Sequence, residues 1–102
     1  MRRQVVRTPE YRLMLGALVA SGMVPDTDFE LVELMPVEEL FAADFDGLPA
    51  AGHPGYRAVV WPSRFGAAAV EGRLDRVSDV VVLTSVSVQP WPQDMFEPSV
   101  DV

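Results

Sequence analysis

Cysteine and lysine are both missing from this 102-residue sequence. Without cysteine there is no disulfide, no thiolate nucleophile and no cysteine-ligated zinc. Without lysine the Gly-x-x-x-x-Gly-Lys phosphate loop cannot form, and no Gly-x-Gly-x-x-Gly occurs in its place. Histidine is reduced to His53, which stands between Gly52 and Pro54. Any Ser-His-Asp arrangement would have to use it, and no Gly-x-Ser-x-Gly elbow accompanies it. No apolar run approaches the ~18–20 residues that span a membrane. Leu13 to Ala20 is short and interrupted by Gly16, and is expected to be a domain helix, not a signal peptide. These absences lead to an expectation of no catalysis, no cofactor, no metal and no membrane segment.

Two acidic patterns run against that expectation. Asp44-Phe45-Asp46-Gly47 touches on a calcium loop, but such a loop needs a third oxygen ligand before its glycine and a glutamate six residues after it. Here the glycine comes too early, and His53 stands where the glutamate should be. Glu38-Glu39 and the pair Glu30 and Glu33 could supply carboxylates for acid–base work. At these spacings they are expected to line the wet face of a helix or strand.

What is present is apolar, and the charge is unevenly placed. Apolar residues make up 49% of the chain, too many for a disordered acidic tail. All eight basic residues are arginine, and the net charge is −7. Residues 1–12 carry +3, residues 13–55 carry −8 with no arginine, and residues 56–102 carry −2. Such a chain gains nothing from DNA phosphates, apart from a small role for the arginine head. A basic head beside an acidic middle suits head-to-tail contacts between copies, or simply a solvated surface.

The fold class expected is α+β: an N-terminal amphipathic helix packed on a small, mainly antiparallel sheet. Residues 1–89 form the single α+β domain and residues 90–102 an extended Pro-rich C-terminal arm. The helix runs from about Pro9 to Ser21. Thr8 caps it, Pro9 sits at its first position, and Gly22 ends it. Tyr11, Met14, Leu15 and Leu18 share one face. Residues 26–46 read either as a strand followed by a short helix from Val37 to Phe45, which is preferred, or as two helices. Residues 47–55 form a Gly/Pro loop. Strands are expected at Tyr56–Trp61, at about Ala67–Leu74 and at Asp79–Gln89. In the last of these, Val80, Val82, Thr84, Val86 and Val88 alternate onto one face, which should meet the helix.

In order, these are a capped helix, the strand Tyr-Arg-Ala-Val-Val-Trp ending in Pro62, a turn, and the long strand to Gln89. Over residues 8–23 and 56–89 this resembles the tail-terminator and head–tail joining proteins of long-tailed bacteriophages. The family usually carries a C-terminal helix where this chain has its Pro-rich arm. The resemblance implies a ring subunit that contacts copies of itself and neighbouring tail or neck proteins. It also implies a location in the virion after assembly in the host cytoplasm. The family has no catalytic residues to transfer.

The interface set is inferred from this sequence alone. Arg2, Arg3 and Arg7 would meet Glu30, Glu33, Glu38 and Glu39 of the next subunit. Trp91, Met95 and Phe96 would either clasp a neighbour or fold back over their own domain. The other function class is a cytoplasmic acidic regulator or inhibitor occupying a basic surface on a partner protein.

Overall fold

A computed structural model of the chain describes residues 2–25 and 28–91. The fold is α+β. Strand β1 (Gln4–Arg7) leads into helix α1 (Pro9–Ala20); a π-helical segment (Phe29–Leu34) runs into helix α2 (Met35–Asp44). Strands β2 (Tyr56–Ser63), β3 (Gly66–Asp75) and β4 (Val80–Gln89) follow. The sheet is mixed, in the order β1-β4-β3-β2, with β1 parallel to β4 and the other two pairings antiparallel.

Helix α1 is set by local chemistry. The Thr8 hydroxyl accepts from the Tyr11 N–H at 3.1 Å, and its O–H donates to the Leu83 carbonyl at 2.9 Å. At the other end Gly22 adopts φ 80°, and the Gly22 and Met23 N–H groups bond the carbonyls of Val19 and Leu18. That is the Schellman closure, which favours glycine at the left-handed position. Tyr11 and Leu15 are buried, whereas Met14, expected on the same face, is 43% exposed.

Between Phe29 and Leu34 the chain is helical, which corrects the preferred reading of a strand there. Pro36 has no N–H to give the preceding turn. Ahead of it the bonding widens: the Met35 N–H reaches back five residues to the Glu30 carbonyl. In an α-helix Phe29 and Leu34 would point about 140° apart. The five-residue bond of a π-helix brings them together, and both are fully buried. The alternation that suggested a strand therefore has no role in the packing.

Strand β4 also departs from simple alternation. Leu83 pairs with Gly72 but Ser85 pairs with Glu71, so Thr84 is an extra residue, a β-bulge. The bulge shifts the phase of the strand by one residue. Val81 and Leu83 face the core before it, and Val86 and Val88 after it. The expected face of Val80, Val82, Thr84, Val86 and Val88 is therefore split between the two sides of the sheet. Opposite the bulge, Gly72 lets Phe41 of α2 approach the sheet: a Cβ there would stand 3.1 Å from both Leu83 Cδ2 and Phe41 Cε1.

One buried cluster joins Tyr11 and Leu15 of α1, Phe29 and Leu34, Val37 and Phe41 of α2, and Val70, Val81, Leu83 and Val86 of the sheet. The outer edge of β2 is closed over its first half, where the Ala58 N–H bonds the Pro49 carbonyl at 3.0 Å. Pro62, in the second half, has no N–H to offer another strand. No helix among the described residues is long and apolar enough to cross a membrane.

Substituting Gly72→Ala is expected to cost about 1–3 kcal/mol, because a methyl group must displace close-packed side chains. Urea denaturation of the two proteins measures this; an unchanged midpoint would show that the Phe41 contact has slack.

Candidate functional site

The charged side chains expected at an interface meet instead within one chain. Arg7 leaves the end of β1 and donates to Glu30 at 2.7 Å and to Glu38 at 2.9 Å. Glu38 also accepts from the Tyr11 hydroxyl at 3.0 Å, and the Arg7 guanidinium lies 5.6 Å from the Tyr11 ring centroid. Arg3 bonds Asp79 at 3.0 Å and stands 3.5 Å from Asp46. Arg2 pairs with Glu39. Glu33 accepts from Trp61 Nε1 at 3.0 Å and from Arg64 at 3.4 Å; Arg64 also stands 3.7 Å from Asp28. Six of the seven described carboxylates between residues 28 and 46 thus have an arginine partner in the same chain.

These pairs differ in how firmly they are held. The side chains of Arg7 and Glu38 are only 25% and 19% exposed, so solvent screens them weakly. Burial lowers the Arg7 pKa, but its bonds to Glu30 and then Glu38 outweigh that and raise it above the ordinary arginine value. Burial, followed by the negative charge of Glu38, pushes the Tyr11 hydroxyl well above the usual tyrosine range. Arg2 and Glu39 are each more than half exposed and can exchange partners freely. Of the expected charge set, that pair remains the most accessible to another molecule.

Trp91 is half-buried, while Met95 and Phe96 lie outside the described residues. His53 is exposed in its loop, with its ring 5.5 Å from that of Tyr56. Among the described residues no group of three or more His, Cys, Asp or Glu side chains is placed to hold a metal ion.

Sequence reasoning missed two features. The first is strand β1, whose only signal is the short pair Val5-Val6 between polar residues. The second is an apolar surface on the helices. Leu13 is 74% exposed, Leu31 57%, Val32 54% and Met35 54%. Beyond Arg12 no charge occurs on α1. The signal was available: from Leu13 to Ala20 the chain is apolar all round, a pattern usual for a helix covered on more than one side.

No family model matches the chain, and neither a curated protein nor a solved structure matches it.

Two outcomes follow from the Arg7 cluster. Arg7→Ala is expected to cost about 1–3 kcal/mol, since it strands the carboxylates of Glu30 and Glu38. Arg2→Ala should stay within ~0.5 kcal/mol. Equal effects in urea denaturation would refute this ranking. The Tyr11 hydroxyl also sets an alkaline limit. The unfolded chain releases that proton near pH ~10 whereas the folded chain retains it. Stability is therefore complete below about pH 10 and falls as pH rises above it. Tyr11→Phe should flatten this fall, and an unchanged slope between pH 9 and 11 would rule out the assignment.

Proposed function

We propose that this chain is a structural subunit of a phage tail or head–tail junction, and that it forms an oligomeric ring through protein–protein contacts. The observation that carries the protein-contact part is the outward apolar side of the helices, with Leu13, Met14, Leu31, Val32 and Met35 exposed. Contiguous apolar surface rimmed by charge is typical of protein interaction sites. The phage part is supported by the order of elements over residues 8–23 and 56–89 and by the strand ending in Trp61-Pro62. On this reading the subunit contacts its own copies and neighbouring tail or neck proteins, resides in the virion, and performs no catalysis.

The contact surface differs from one built on Arg3 and Arg7. A carboxylate from another molecule would have to displace partners held at high effective concentration in the same chain. Arg2 and Glu39, each more than half exposed, are better suited to re-pairing across an interface. The same pairing weakens the alternative of an acidic inhibitor. Six carboxylates of the acidic block are shared among Arg2, Arg3, Arg7 and Arg64, so the block offers less free charge to a basic partner.

The test is the absolute mass of the purified chain by light scattering after size exclusion. A single closed oligomer is expected, and Leu13→Glu should lower its mass while leaving the urea midpoint within ~0.5 kcal/mol of the parent. Because each copy carries −7, moderate salt should tighten the assembly by screening repulsion. A strict monomer at high concentration would overturn the ring and favour the inhibitor.

A further inference from the structure

A groove of about 360 Å³ runs beside α1. Leu15, Gly16, Val19 and Ala20 form its apolar wall; Arg7, Arg12 and Glu30 complete it. A Cβ placed on Gly16 would meet nothing within 4 Å, so the wall is open at its middle. Arg7 and Glu30 are bonded to each other. Arg12 is exposed and, in contrast to Arg2, Arg3, Arg7 and Arg64, forms no ion pair among the described residues. The groove therefore combines a small-residue apolar wall with one free guanidinium. Its complement is a narrow apolar segment that carries a carboxylate close to its apolar side chains.

The chain itself contains such a segment. Residues 92–102, which lie outside the described residues, carry Asp94, Glu97 and Asp101 and no cation. Met95 and Phe96 stand side by side with a carboxylate on each flank, so either direction of approach brings an acid near the apolar pair. Eleven residues can span up to ~36 Å. Gln89 and Trp91 each precede a proline, which biases both toward extended backbone. That reach is long enough for residues 92–102 to arrive at a neighbouring copy.

We propose that the α1 groove receives residues 92–102 of a second copy, with Met95 and Phe96 against Leu15, Gly16 and Val19, and Asp94 or Glu97 on Arg12. This rests on the ring reading and deepens it. Groove and segment are different surfaces, so each copy gives one and accepts one. Such a heterologous contact ends only when the ring closes.

The absence of native cysteine makes the test clean. The full-length double variant Gly16→Cys/Met95→Cys is oxidised under mild conditions and compared with Val77→Cys/Met95→Cys, Val77 being 99% exposed in the turn between β3 and β4. Covalent multimers are expected in at least tenfold excess over the control, and adding Arg12→Glu should lower that yield several-fold. A disulfide closed within one chain, or equal yields in the two variants, would overturn the proposal. The mass of the unmodified chain keeps the two ideas apart. A closed oligomer without the specific cross-link removes the groove assignment and leaves the ring, whereas a monomer removes both.

Discussion

Arg7 is the point on which the arrangement of elements depends. It ends β1, lies over the ring of Tyr11 in α1, and bonds Glu30 of the π-helical segment and Glu38 of α2. Strand β1 has four residues and a single parallel pairing, with β4 at the far end of the sequence. Parallel pairing is the weaker kind per residue, and a four-residue ladder offers little of it. The ion pairs add what the ladder lacks. A half-buried guanidinium with two carboxylates and a ring is directional, so it fixes where the helices stand relative to the edge of the sheet as well as holding them there.

The bulge at Thr84 plays the same part on the other side of the core. Without the extra residue, β4 could present either Val81 and Leu83 or Val86 and Val88 to the helices, but not all four. With it, one strand serves two stretches of core, and Gly72 opposite makes room for Phe41. The bulge and the glycine are thus parts of one packing solution.

How far the fold could be read from sequence follows how local its causes are. The cap at Thr8, the stop at Gly22 and the hairpin turn near Ser63 arise from neighbouring residues, and each was legible. Strand β1 was not, because Val5 and Val6 become a strand only when β4 is beside them. The segment at Phe29–Leu34 was misread because Pro36 changes the helical bonding without leaving a periodicity of its own. The faces of β4 were misread for the opposite reason: a perfect alternation of valines is cut by a bulge that depends on Gly72, across the sheet. The charges told a similar story. A basic head and an acidic middle were visible, but sequence alone could not say whether they would meet between copies or within one.

That they meet within one chain changes what the surface can do. Internal pairing engages six carboxylates of the acidic segment with four arginines, and several of the side chains left outward on the helices, Leu13, Leu31, Val32 and Met35 among them, are apolar. A chain with a net charge of −7 still repels its copies at long range. Contact must then come from short-range burial, helped wherever a cation is left unpaired. Arg12 is such a cation, on a helix that carries no charge beyond it. The same economy of charge that fixes β1 against the helices leaves α1 uncharged beyond Arg12, and that is the face the proposed contact would use.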